Sequence, residues 1–193
     1  MEYKTILGLL TILIHTVSYG AYFIGIWKGQ TKPHAFTWLV WGIINAVAFS
    51  AVFVSGGDAG SWVLGINTIL FLVTAFIGFK QKHVEYDKYD WIALLGGLIG
   101  ILLWWLTKNP LYAIILIAIS DIIALVPTIR KAYKFPFEEN ALSFAVGAIN
   151  YPIAILALNT LTFTTWLYPA VIGLTDAILV VLILIRRKKL RNS

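Results

Sequence analysis

The chain has 193 residues, of which 60% are hydrophobic and only 12% are charged. An ordinary soluble domain carries about 25% charged residues, so this composition excludes a soluble globular protein and indicates a membrane protein. The net charge is +6, and the basic residues lie between and after apolar stretches, a pattern that indicates membrane topology and argues against nucleic-acid binding. The chain has no cysteine, which excludes disulfides and thiol chemistry.

Seven apolar segments are long enough, or nearly so, to cross a bilayer, because a membrane helix needs about 20 mostly apolar residues. They predict an all-α integral membrane protein with seven transmembrane helices. The fourth and sixth segments are the shortest. The predicted spans cover residues 5–27, 35–55, 61–79, 90–107, 111–133, 141–158 and 165–185.

The basic residues separate onto two sides of the predicted bundle. Since Lys and Arg collect in cytoplasmic loops, we predict an outside amino terminus and a cytoplasmic carboxyl terminus, in the plasma (inner) membrane. The outside receives only Lys4 and Lys108. The cytoplasmic side receives Lys28, Lys32, Lys80, Lys82, Lys88, Arg130, Lys131, Lys134 and the tail 186–191.

The sequence repeats itself at one fixed offset, which places His15 opposite Asp121 and Lys28 opposite Lys134. Such self-similarity marks a duplicated unit. Because three spans end on the opposite face from their start, parallel repeats need one inverting helix between them. We therefore predict a 3+1+3 layout with its site near the membrane midplane. Residues 1–83 form the first three-helix repeat, 84–109 the linker helix, and 110–193 the second repeat with its basic cytoplasmic tail.

Polar side chains occur near the middle of several spans and share one helix face in each. An ionised Asp facing lipid would cost about 2.5 to 3.5 kcal/mol, so the mid-span aspartates should face the bundle interior. Aromatic rings on the same stripes could stack on a solute, whereas Trp38, near a span end, is assigned to the interfacial belt. The predicted substrate-binding residues are His15, Tyr19, Trp41, Asn45, Asn67, Asp121, Asn150 and Asp176.

Alternative roles stay open for several of these residues. Asn45 and Asn150 could instead hydrogen-bond between helices, and His15 could be an ordinary buried histidine. Pro127 and Pro152 remove backbone donors within spans, and we predict them as hinges, with a static bend as the alternative.

One segment carries a family resemblance. It runs through Pro127-Thr128-Ile129, Arg130, Lys131 and Lys134 to Leu142-Ser143. This segment resembles the PQ-loop motif, with Thr128 in place of Gln, and the 3+1+3 layout is similar to that of the SWEET sugar transporters. The resemblance implies that Asn67 and either Thr175 or Asp176 occupy the stations of the sugar-binding asparagine pair. The nicotinamide-riboside uptake family and the KDEL receptor share the seven-helix layout.

The predicted function is a membrane carrier that moves a small polar solute, sugar-like or vitamin-like, by alternating access between the repeats. The alternative is a ligand-binding membrane receptor of the same fold that does not transport. No catalytic motif is present, so we predict no enzyme activity, no cofactor and no metal. The expected partners are the solute and the lipid bilayer, with a homo-oligomer left open. Proton coupling through Asp121 or Asp176 is a further hypothesis.

Overall fold

The computed structural model describes residues 2–29, 33, 35–80, 88–139 and 141–191, and all regular structure in these ranges is helical. Short π and 3-10 turns occupy Phe53–Gly57, Asp58–Ser61 and Pro136–Glu138. The α-helices are α1 Glu2–Trp27, α2 Ala35–Val52, α3 Trp62–Lys80, α4 Lys88–Thr107, α5 Pro110–Ala124, α6 Val126–Lys134, α7 Ala141–Leu156 and α8 Phe163–Arg191.

Across the described residues, continuous helical structure forms six runs and not the seven separate helices predicted from the sequence. The difference arises because the chain stays helical from α2 through its short turns into α3, where the sequence predicts a loop. Four runs are long and apolar enough to cross a membrane, and two further apolar helices are shorter. The four are Glu2–Trp27, Ala35–Lys80, Pro110–Lys134 and Phe163–Arg191; the shorter two are Trp91–Thr107 and Ala141–Leu156.

The run Ala35–Lys80 folds back on itself. Its direction changes at Gly56 and Asp58, whose φ values of 85° and 42° lie in the left-handed region, where a glycine carries no steric penalty. After the turn, α3 packs along α2, and the residue numbers of the contacting pairs increase along one helix as they decrease along the other. The pairs in contact are Gly42 with Leu72, Gly65 with Phe49, and Gly78 with Ala35. The run is therefore an antiparallel helical hairpin.

The helices pack in a pattern that occurs twice. In the first group α3 packs against both α1 and α2, and in the second α8 packs against both α5 and α7. The two groups meet through α1 with α7 and through α5 with α2. Helices α1, α2 and α3 therefore correspond to α5, α7 and α8, in that order. Each contact named above has a counterpart between the corresponding helices. Helix α4 lies outside this correspondence and packs on α5 and α2.

Helix α1 shows how the sequence pattern orients the bundle. Its large apolar side chains at Ile6, Leu13 and Val17 are exposed, whereas Thr11 and His15 on the other side are buried. An exposed apolar face of this length suits lipid better than water. The polar stripe therefore points inward, as the helical spacing predicts.

Candidate functional site: a cavity between the two helix groups

A cavity of about 540 Å³ lies between the two helix groups. Its wall takes residues from α1, α2 and α3 on one side and from α5, α7 and α8 on the other. Of the eight predicted substrate-binding residues, all but Asn150 line it, and whether they bind a solute stays a prediction. The seven lining residues are His15, Tyr19, Trp41, Asn45, Asn67, Asp121 and Asp176.

Asn67 joins the two helix groups across the cavity. Its Nδ2 donates a hydrogen bond to the Tyr151 hydroxyl at 2.7 Å, and both side chains are almost fully buried. Asn67 Oδ1 has no partner. The side chain therefore ties α3 to α7 with one end of its amide and leaves an acceptor available at the other.

Asn150 lies behind the cavity wall. Its Nδ2 donates to the Thr11 carbonyl oxygen at 3.0 Å and also contacts His15 Nδ1. The His15 ring in turn stacks on Tyr19, with centroids 6.4 Å apart, and meets Tyr151 edge-on at 5.8 Å. Asn150 thus holds α7 against α1 and orients the histidine, which is the interhelical role left open as an alternative.

Aromatic rings form one wall of the cavity, which we call the aromatic wall: Tyr19, Tyr22, Trp38, Trp41 and Phe71. Trp38 stands at its centre, with ring centroids 5.4 Å from Tyr22, 5.4 Å from Trp41 and 5.1 Å from Phe71. Its assignment to the interfacial belt is therefore wrong. Because α2 begins at Ala35, Trp38 lies one turn inside the helix, on the same face as Trp41.

The two mid-span aspartates face the cavity from different helices of the second group. Asp121 lies in the last turn of α5, and Asp176 lies on α8 opposite Gly147 of α7, where a Cβ atom would collide with its carboxylate. Thr175, next to Asp176, donates its hydroxyl to the Val171 and Ile172 carbonyl oxygens of its own helix.

In the described part of the chain, four buried polar atoms of lining residues have no hydrogen-bond partner. They are Trp41 Nε1, Asn45 Oδ1, Asn67 Oδ1 and the Tyr168 hydroxyl. Asn45 Nδ2 donates to the Trp41 carbonyl oxygen at 3.0 Å, so only its oxygen is left over. An unsatisfied buried polar group costs about 1 to 3 kcal/mol. Polar groups of a solute could remove that cost.

The far end of the bundle is tied shut by contacts between the helix groups, and we call it the closed end. Lys4 Nζ donates to the Leu158 carbonyl oxygen at 2.6 Å, and Thr160 N donates to the Gly56 carbonyl oxygen at 3.0 Å. Gly60 lies against the backbone of Leu158. Glycine is needed there because the two backbones approach too closely for a side chain.

One more hydrogen bond crosses the closed end, from Asn159 Nδ2 to Asp58 Oδ2 at 2.5 Å. The cavity lies toward the opposite end, since it is lined by the carboxyl-terminal half of α1 and the amino-terminal halves of α2 and α7.

The sequence matches no protein-family model, no curated protein and no solved structure. Within the described ranges, no three His, Cys, Asp or Glu side chains are grouped so that they could hold a metal ion. The prediction that the protein has no metal site is untested.

The lining residues outside the predicted set include Phe71, Tyr151 and Tyr168. Tyr151 follows Asn150 on the polar stripe of α7, so helical spacing could have found it. Tyr168 is fully buried, but it lies near the start of α8, in a stretch that reads as a span end. Phe71 looks like any apolar residue of a membrane helix.

The two predicted hinges occupy different settings. Pro152 lies inside α7, where it cannot donate to the backbone one turn earlier. Pro127 is the second residue of α6 and follows the break at Leu125 that separates α6 from α5; its side chain is outside the described structure. Leu125 keeps right-handed helical φ and ψ angles, and hydrogen bonds from Leu125 N to the Asp121 carbonyl oxygen and from Ile129 N to the Leu125 carbonyl oxygen continue across it. Hinge motion at either proline stays a prediction.

Proposed function

We propose that the protein is a membrane carrier that moves a small polar solute by alternating access. The observation that carries this proposal is a cavity between two similarly packed helix groups, with unsatisfied polar atoms in its wall and a hydrogen-bonded closed end. Pockets of this volume commonly bind small molecules. A carrier also needs two parts that can rock against each other around a fixed site.

The proposed topology has seven membrane crossings. The hairpin Ala35–Lys80 supplies two of them, since its antiparallel arms are each about as long as the other apolar helices. Counting α5 and α6 as one crossing then yields three crossings in each group, with α4 between them. The repeated packing pattern supports this 3+1+3 arrangement. A kinship with PQ-loop and SWEET transporters is part of the same proposal, and it rests on the residues quoted above.

The proposed orientation puts the cavity on the cytoplasmic side. Its wall lies toward the ends of α1 and α6, where Lys28, Arg130 and Lys134 are found, whereas Lys4 belongs to the closed end. Lys32 and Lys82 lie outside the described residues. By the positive-inside rule the closed end is then extracellular. The protein would thus be in a cytoplasm-open state of its cycle.

Cysteine labelling can test alternating access without knowledge of the solute, because the chain has no native cysteine. Ser18 lines the cavity, and we expect Ser18→Cys to react with a polar, membrane-impermeant thiol reagent added to either face of the membrane. The matched control is Val17→Cys, one residue away on the exposed apolar face of α1. It should react from neither face, since lipid covers it.

A cross-link at the closed end should prevent the thiol reagent from reaching Ser18→Cys from one face of the membrane. A Cβ built on Gly56 lies 3.1 Å from Thr160 Cβ, near the separation of about 3.5 to 4.5 Å found in disulfides. Oxidation of Gly56→Cys/Thr160→Cys should leave Ser18→Cys reactive from the cytoplasmic face alone, whereas the same variant kept reduced should not. The reduced form is the control because a side chain at the left-handed Gly56 strains the turn by itself. Reaction from one face alone without the cross-link would contradict alternating access and favour the receptor.

A further inference from the structure

The charge that faces the cavity is acidic. Asp121 and Asp176 line it, and no Lys or Arg is among the lining residues in the described part of the chain. Arg187 lies near the cavity mouth, but its guanidinium donates to the Glu139 carbonyl oxygen at 2.6 Å. His15 is the lining residue that can carry a positive charge. A carboxylate removed from bulk water stays ionised only when an opposite charge is nearby, and a solute could supply that charge.

The aromatic wall offers a second attraction for a positive charge. Trp38 stands nearly perpendicular to Trp41, at 87°, and to Tyr19, at 82°. Rings set at such angles present both faces and edges to the space beside them. The negative face of Trp or Tyr attracts a cation within about 6 Å of its centre, and a flat ring can stack on the same surface.

The unpartnered polar atoms specify what else the solute should carry. Asn45 and Asn67 each leave an amide oxygen without a donor, and their side chains are 2% and 0% exposed. A carbonyl oxygen can only accept a hydrogen bond. Within the described residues no N–H or O–H group donates to these two buried oxygens, so a solute would reach them only after the side chains shift.

The geometry points to an organic cation as the solute: a flat, positively charged ring that carries N–H groups and fits a cavity of about 540 Å³. Its movement across the membrane rests on the proposed carrier function, whereas its binding does not. The carboxylates would balance its charge, the aromatic wall would stack on its ring, and the free amide oxygens would accept its hydrogen bonds.

Two probes of nearly the same shape can isolate the charge. The N-methyl cation of para-aminopyridine has a permanent positive charge, and para-toluidine is its neutral isostere with the same ring, methyl and amino groups. We expect the cation to raise the melting temperature of the purified protein in mild detergent in a concentration-dependent way. Para-toluidine at equal concentration should have little effect. This comparison uses the wild-type protein, so it does not depend on how a variant folds.

Charge-removing variants locate the site. Asp121→Asn and Asp176→Asn should each weaken the apparent affinity for the cation roughly tenfold or more, because each removes one partner of a desolvated charge pair. Glu2→Gln is the matched control. It removes an exposed carboxylate on the first turn of α1 that does not line the cavity, and it should leave the affinity unchanged.

Four results would overturn the cation inference: equal stabilisation by para-toluidine, no response to the cation, unchanged affinity in both asparagine variants, or stabilisation by glucose alone. None of them would touch the carrier proposal, which the labelling of Ser18→Cys tests independently. A cation that stabilises the protein but is not taken up by liposomes containing it would support the solute class and count against the carrier.

Discussion

The Asn67–Tyr151 hydrogen bond shows what single side chains contribute to this bundle. One amide links the two helix groups through its nitrogen and has a buried oxygen without a hydrogen-bond partner among the described residues. In a bilayer such interhelical hydrogen bonds are worth only about 0.6 kcal/mol on average. Their value here lies in orientation, because the bond holds the Asn67 oxygen in one direction.

Removing the Tyr151 hydroxyl should show how much the hydrogen bond to Asn67 contributes to stability. Tyr151→Phe deletes the partner of Asn67 Nδ2 and leaves both ends of the amide unsatisfied, so we expect a loss of about 1 kcal/mol in the free energy of unfolding. Thermal unfolding in mild detergent measures it. Tyr112→Phe, at a half-exposed position on α5, is the control and should have little effect.

The double variant Asn67→Ala/Tyr151→Phe completes the test. If the two residues are bonded, its loss of stability should be smaller than the sum of the two single losses. Additive losses would show that the bond does not form.

At the closed end single helices also meet through close contacts between their backbones. A Cβ on Gly60 would lie 2.6 Å from the Ala154 carbonyl oxygen and 2.7 Å from Leu158 N. Backbone atoms of a packed helix cannot rotate away as a side chain can. The turn between α2 and α3 can therefore pack against the end of α7 only because residue 60 has no side chain.

Gly60→Ala should push the turn away from α7. We expect a loss of about 1 to 3 kcal/mol in stability, the usual cost of overpacking, measured by thermal unfolding. We also expect faster reaction of a single cysteine at Thr160 with a polar thiol reagent. Gly20→Ala is the control, since a Cβ there meets no atom within 4 Å. Equal behaviour of the two variants would contradict close packing at Gly60.

On the scale of the whole molecule, the proposed topology depends on which helices cross the membrane. Helix α7 is shorter than the usual 18 to 20 residues of a spanning helix, yet it packs along α8 and against α1. A short helix can cross by tilting little or by thinning the bilayer around it. Its neighbours would then satisfy the backbone near Pro152.

Two single cysteines on either side of α7 test this crossing. An impermeant thiol reagent applied to intact cells should label Leu161→Cys, which is exposed between α7 and α8, but not Lys134→Cys at the end of α6. Lys134→Cys should react only after the cells are made permeable, which also confirms that it is reactive. Labelling of both positions in intact cells would show that α7 does not cross.

The sequence by itself determined that the protein is helical, that its apolar helices are typical of a membrane protein, and which faces of those helices point inward. These follow from local properties: the length of an apolar run and the 3.6-residue period of a helix. For this reason His15, Asp121 and Asp176 could be assigned to one interior before any contact was known. The repeat could be predicted for the same reason, since a match at a fixed offset depends on the order of residue types alone.

Only the tertiary structure decided which neighbour each inward face meets. The pairing of Asn67 with Tyr151, the position of Asn150 behind His15 and the place of Trp38 in the aromatic wall all join residues that are distant in sequence or sit at a span end. The helical turn at Gly56, the break at Leu125 and the closed end are equally non-local. The period of polar and apolar residues predicts which face of a helix is buried. Close packing with other helices determines which helix that face contacts and where a cavity remains.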